Sequence, residues 1–267
     1  MMESIGPNMD WTPGAGLLII NADDWGRDNE TTDRMLECLL RRSVSSVSAM
    51  VFMSDSERAT QLAGEHRIDA GLHLNLTLPF SSPECPSNLR EHQRKLVKYL
   101  RSYSIARVLY HPGLVSCFEY VVKAQLDEYC RLYGVRADRI DGHHHMHHCT
   151  NVLLGQLLPA GTLVRRNFSF RPGEKSAVNR LYRKAIDYTL ARRHRLVDFL
   201  FSLPPLETVG RLESIFSLAR GFTVELETHP INANEYSFLL SDEIFRLTSN
   251  IRIAPHSSVL SSRFVPN

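Results

Sequence analysis

Carboxylates and imidazoles gather at four places in this chain. Asp23 and Asp24 follow an apolar run, and His73 sits inside another. Asp141 precedes the run His143-His144-His145-Met146-His147-His148, and Glu227-Thr228-His229 closes a fourth stretch. The chain holds 12 histidines, and five of them fall within residues 143–148. One Asp with two His suits a divalent ion with open coordination positions, the layout of a catalytic rather than a closed structural site. Such a site acidifies a bound water and polarises a carbonyl or phosphoryl oxygen. A neighbouring carboxylate then serves as general base, and a histidine opposite protonates the leaving group. These residue types point to metal-assisted hydrolysis and leave the substrate open.

Each group also has an ordinary explanation. Asp is a favoured helix N-cap, so Asp23-Asp24 alone could cap the helix that follows. His73, within Gly71-Leu72-His73-Leu74-Asn75, reads by itself as a core histidine, and a buried imidazole still needs a partner or a metal. A His-rich loop can be solvated and merely scavenge metal. Position favours the catalytic explanation, because β/α barrels build their sites at the C-terminal ends of strands and these groups stand there. In extended chain Asp23 and Asp24 point different ways, so one could bind metal while the other takes a proton from water. His143 and His145 share a face in extended chain, and His143 and His147 in a helix, so not all five are ligands.

The elements that must position these groups follow from hydrophobic period. Leu17-Leu18-Ile19-Ile20 reads as a strand buried on both faces. Further strands are expected at 46–52, 68–76, 139–142, 163–166, 197–202 and 222–228, and helices at 30–42, 54–65, 115–133, 176–193, 206–219 and 234–248. Gly134 is placed to end the helix over 115–133. Residues 79–113, rich in Pro, Ser and basic side chains, break the rhythm and read as a long insertion with a helix inside it. Strand and helix alternate throughout, which implies parallel strands with crossover helices. The expected fold is α/β: a single-domain (β/α) barrel over 16–267, TIM-like if distorted, after an extended or disordered segment 1–15. An open doubly wound sheet is the alternative, and its dinucleotide-binding form loses support because no G-x-G-x-x-G follows the first strand.

Composition narrows the class. The 267 residues include 31 Lys+Arg and 29 Asp+Glu, a net charge of +2, so nothing suggests the basic face that nucleic acid requires. No apolar run is long enough for a membrane span, and the first residues lack the apolar core of a signal peptide. Five cysteines, with no CxxC spacing, fit reduced thiols and a cytoplasmic protein.

Four motifs in order carry a family likeness. Asn21-Ala22-Asp23-Asp24-Trp25-Gly26 resembles the N-A-D-D-F-G opening of the YdjC-like carbohydrate deacetylases, the family that includes chitooligosaccharide deacetylases. Gly71-Leu72-His73-Leu74-Asn75-Leu76-Thr77 is similar to its G-x-H-x-x-L-T segment, and Asp141-Gly142-His143-His144-His145-Met146-His147 to its D-S-H-H-H-x-H motif. Glu225-Leu226-Glu227-Thr228-His229-Pro230 resembles the strand that ends in His-Pro. The resemblance implies a β/α-barrel hydrolase that removes acetyl groups from N-acetylated sugars or oligosaccharides with one divalent ion, Mg²⁺ or Zn²⁺. Carried over by position, Asp24, His73 and His143 are the implied metal ligands, Asp23 the base, and His229 the acid or intermediate stabiliser. Arg165 is expected to contact substrate or orient Asp23, while His145 and Trp25 are expected at the substrate. His144, His147 and His148 receive no role. Trp25 and Gly142 depart from the family's Phe and Ser, and 79–113 and the tail after 235 have no clear counterpart. An acetylated sugar of surface-polysaccharide or lipid-linked glycan synthesis therefore stands beside chitooligosaccharides as substrate. The family tends toward homodimers, so a homodimer is an option. A metal-dependent phosphoesterase and a non-catalytic His-rich metal-binding protein are the rival functions.

Overall fold

The run Leu17-Leu18-Ile19-Ile20 begins a strand, β1 (Leu17–Trp25), that is buried at every position. The computed structural model describes residues 16–103, 105–170, 174–208 and 210–261, and the expected N-terminal segment 1–15 lies outside them. After β1 come α1 (Asn29–Leu40), β2 (Ser46–Ala49), α2 (Ser56–His66), β3 (Ala70–Leu74), α3 (Ser87–Ser102), α4 (Val115–Tyr133) and β4 (Arg139–Gly142). Then follow α5 (Thr150–Leu154), β5 (Leu163–Val164), α6 (Ala177–Ala191), β6 (Phe199–Ser202), α7 (Arg211–Leu218) and β7 (Thr223–Thr228). Helices α8 (Ala233–Leu240), α9 (Asp242–Thr248) and α10 (Ser257–Ser261) complete the chain.

Local chemistry sets several boundaries. Asp28 caps α1 by accepting from the Thr31 N–H at 2.8 Å, worth about 1 kcal/mol for such a cap. Helix α4 buries Phe118, Val121, Val122, Gln125 and Tyr129, a stripe at helical spacing, and ends at Gly134 with φ of 70°. The helix expected over 234–248 is two helices. Ser241 takes the extended backbone of an N-cap, and Asp242 and Glu243 begin α9, where the positive end of the helix dipole favours them. The insertion after β3 contains α3, which buries Leu89, Leu96 and Leu100 and packs against α4. Gln93 and Gln125 tie its start to the body, accepting from the Phe80 and Asn75 N–H groups at 2.9 and 2.7 Å.

All strand pairs are parallel, in the order β5-β4-β3-β2-β1-β7-β6. The expected closed barrel is corrected here to a curled seven-stranded sheet, a half-barrel. Among the described residues β5 and β6 share no ladder; β5 instead meets the chain just before β6 through a single bridge, Leu163 with Arg195. The curl is nevertheless strong. In a flat sheet β5 and β7 would lie roughly 24 Å apart, five strand spacings. Yet Arg165, one residue past β5, reaches Glu225 of β7 at 2.7 Å. The outer face of the sheet, with Leu18, Ile20 and Ala22 of β1, packs under the helices in one large core. Leu17 and Ile19, on the opposite face, form a separate cluster with Leu163, Val197 and Val259.

Candidate active site

The four expected groups converge at the C-terminal ends of the strands. Asn21 and Asp23 continue the inner face of β1, but Asp24 breaks the alternation. The register between β1 and β2 shifts there: Asp23 pairs with Ser48, Trp25 with Ala49, and Asp24 is the extra residue of a bulge. Its φ of 78° lies in the left-handed region, which a non-glycine residue enters at a cost. The consequence is chemical. Two successive carboxylates, which a regular strand would send to opposite faces, both meet His73: Asp24 Oδ1 is 3.3 Å from its Nε2 and Asp23 Oδ2 is 4.0 Å from its Nδ1.

His73 comes from β3, beside Asp141 of β4 in the parallel register. Its Nδ1 lies 2.6 Å from Asp141 Oδ1, which fixes Nδ1–H as donor and leaves the Nε2 lone pair facing Asp24. Strand β4 ends at Gly142, and His144 and His145 follow with φ of 53° and 56°. Two left-handed residues in succession send His143 and His145 to different carboxylates, while the His144 ring stays against that of His143 at 4.0 Å between centroids. His143 Nδ1 is 3.0 Å from Asp24 Oδ1, and His145 Nε2 is 3.4 Å from Glu227 Oε2. His144 Nδ1 meets Thr77 Oγ1 at 3.0 Å. His147 and His148 turn inward, and their Nε2 atoms share the Arg165 carbonyl at 3.0 and 2.9 Å. A Cβ at Gly142 would stand 2.9 Å from the His147 ring, so this chain's glycine makes room for that ring.

Arg165 is the hub beneath. Its side chain is 1% exposed and grips Asp23 with Nη1 and Nη2 at 2.6 and 2.8 Å. The same guanidinium reaches Asp141 at 3.1 Å, Glu225 at 2.7 Å and Glu227 at 3.1 Å. Such engagement turns it toward Asp23 and away from the open side. Asn21 adds a third contact to Asp23, Nδ2–H to Oδ1 at 2.7 Å. Lower down, Arg139 lies against Gly71, where a Cβ would come within 2.6 Å of the guanidinium, and donates to Asn21 Oδ1.

Electrostatics follow from this crowding. Burial opposes charge on Asp24, but His143 and His73 outweigh it and hold its pKa well below the usual carboxylate range. Burial likewise disfavours a charged His73, yet Asp23 and Asp141 raise it to about 10. Glu227 is held at about 2, because His145 and Arg165 overcome its desolvation. Burial drives His148 down to about 3 and His144 to about 4, so both rings are neutral near pH 7.

The donor set fits a divalent cation. Asp24 Oδ1 and His73 Nε2 are both buried and have no hydrogen-bond partner among the described residues. When the ring carries its single proton on Nδ1, His73 Nε2 turns a lone pair toward Asp24 Oδ1 at 3.3 Å, and either a second ring proton or a bound cation between them relieves the repulsion. Asp24, His73 and His143 present ligand atoms within 4.8 Å of one another. Asp23, Asp24, His73, His143 and Glu227 line a cleft of about 310 Å³, together with His145 and His229. His229 also approaches Asp23 and Glu227 within that 4.8 Å span, its backbone N–H held by Glu235 at 2.8 Å.

Trp25 is placed differently from expectation. Past the bulge it lies on the outer face, fully buried in the core, its Nε1–H donating to the Ala59 carbonyl at 3.1 Å, and it does not line the cleft. Asp141 and Glu227 stand at the strand ends where the sequence places them but receive no role there, and Glu225 is not singled out as a site residue. Thr223-Val224-Glu225-Leu226-Glu227 carried the signal: two carboxylates at period two on a strand whose other face is apolar.

The family model described as YdjC-like protein matches residues 17–245. A chitooligosaccharide deacetylase of Proteus mirabilis is 33% identical over 134 residues, 50% of this chain and 51% of that protein. A carbohydrate deacetylase of Mus musculus is 27% identical over 136 residues, 49% of this chain and 42% of that protein. The matched part thus spans about half of these relatives or less. Among solved structures, a protein of Enterococcus faecalis described as a candidate cellobiose-phosphate cleavage protein is 21% identical, with a TM-score of 0.63 over 92% of this chain and 99% of that one. That similarity shows the fold.

Proposed function

The chain belongs to the YdjC-like family, and on that premise we propose that it removes an acetyl group from an N-acetylated sugar or oligosaccharide by metal-assisted hydrolysis. The observation that carries this reading is the convergence of three buried ligand atoms, Asp24 Oδ1, His73 Nε2 and His143 Nδ1, the first two without a hydrogen-bond partner among the described residues. These three side chains would hold one divalent ion, Mg²⁺ or Zn²⁺. Bound there, such an ion supplies Lewis acidity toward a water and the acetyl carbonyl oxygen.

The chain's own residues do the proton work. Asp23 takes the proton of the attacking water, and Arg165 and Asn21 fix the plane of its carboxylate. As the C–N bond breaks, His229 gives a proton to the departing sugar amine, which leaves acetate and a free amine. His145, oriented by Glu227 and the edge of Phe168, borders the sugar. Arg165 serves as a positioning residue, not a substrate contact. Phosphoryl transfer is less well served: Arg27, the guanidinium among the cleft-lining residues, is already committed to Asp24, Asp28 and Thr31.

A panel of N-acetylated glycans and phosphate esters tests the reading by the product released, acetate or phosphate. Asp23→Asn should keep its metal and lose activity by about 10²–10⁴-fold. Near-normal turnover in that variant would remove Asp23 as the base.

A further inference from the structure

Below the cleft runs a line of buried contacts that the chemistry above leaves unused. Arg165 spends both Nη atoms on Asp23, and its Nε–H donates to Glu225 Oε1 at 2.7 Å. The other oxygen of Glu225 lies 3.3 Å from His256 Nε2. Both residues are 2% exposed. His256 stands just before α10, and its place is fixed from two sides. Its own N–H donates to Ser46 Oγ at 3.1 Å, while the carbonyl of Arg252 and the N–H of Ala254 bond Leu18 of β1 at 2.9 and 3.2 Å. Nδ1 of His256 has no hydrogen-bond partner among the described residues, so the proton of the neutral ring belongs on Nε2, where Glu225 accepts it.

The reason to hold Glu225 is mechanical. Arg165 is shared among four carboxylates, and a guanidinium so shared can slide toward whichever pulls hardest. Asp23 follows, because it is bonded to both Nη atoms. A donor on the far oxygen of Glu225 stops that carboxylate from turning and keeps its near oxygen on Nε. We propose that Glu225 and His256 are positioning residues for Asp23, acting through Arg165. The inference rests on the reading of Asp23 as the base. It gives the chain's end a role, for His256 lies beyond residue 245, where the family match stops.

Steady-state kinetics on the acetate-releasing substrate tests it, with kcat expressed per metal-loaded chain so that misfolded protein is not counted. His256→Ala should lower kcat about tenfold, the scale of outer-shell partners, with KM and metal stoichiometry unchanged. His256→Gln, whose amide N–H reaches the same oxygen, should recover most of the loss. Should His256→Ala not fold, the isosteric Glu225→Gln should show the same fall in kcat at constant KM. Exchange of the Arg165 Nε–H proton, followed by NMR, should be slow in the wild type and in His256→Gln and fast in His256→Ala. Unchanged kcat in a folded His256→Ala or Glu225→Gln, or equal losses in His256→Ala and His256→Gln, would overturn the proposal. Absence of acetate from the wild type on every substrate would instead sink the deacetylase reading alone, and the exchange rates would then decide this one.

Discussion

The inner face of β1 passes through two different environments within a few residues. At its lower end Leu17 and Ile19 pack with Leu163, Val197 and Val259, a small apolar cluster without a charge in it. Higher on the same face, Asn21 and Asp23 enter a network of carboxylates, guanidiniums and imidazoles that is just as buried. The apolar end stabilises by removing hydrocarbon from water. The charged end gains little net stability, because desolvation consumes much of what pairing returns. It persists by being paired almost throughout, and the atoms without a hydrogen-bond partner among the described residues, Asp24 Oδ1 and His73 Nε2, lie where a cation would fit. One strand thus separates the work of holding the fold from the work of chemistry.

Substitutions in the two ends should separate in the same way. The largest effect is expected from Arg165→Lys. A single ammonium cannot replace a fork that serves four carboxylates, so about 3–5 kcal/mol of stability should go, together with most turnover. Urea unfolding and acetate release on one preparation check both, and a stable, active variant would break the contrast. Ile19→Ala should cost about 2–5 kcal/mol in the same unfolding experiment, yet leave kcat of the folded protein unchanged. A fall in kcat there would show that the apolar layer also sets the site. His148→Gln should act more gently, through pH. The His148 pKa is depressed on folding to about 3, so the unfolded chain binds the extra proton, and stability falls as pH drops below about 6.5 toward the folded value. Removing that ring should lessen the slope of stability between pH 6.5 and 4 by about 1.4 kcal/mol per pH unit. An unaltered slope would place the proton elsewhere.

Local features were legible from sequence, and features set by distant partners were not. β1, the stripe of α4 and its end at Gly134 follow from spacing alone, and the four clusters at strand ends announced a convergent site. The bulge at Asp24 exists only through the register of β1 against β2, so strand period alone did not bring Asp24 onto the side of Asp23, and the family likeness did not reveal that Trp25 turns to the core. The His run looked uniform, yet two left-handed residues divide it, and His147 and His148 serve a backbone carbonyl 18 and 17 residues away. Closure of the sheet was equally hidden, because the length of β5 decides it and β5 pairs through only two residues. His256 gave no signal at all, since its partner Glu225 lies on another element.

The proposed cation site is the centre of this account, and metal content tests it directly. Wild-type protein and His143→Ala, each loaded with excess Zn²⁺ and then desalted, should carry one ion per chain and essentially none. Equal stoichiometry in the two proteins would remove His143, and with it the site built on Asp24 and His73.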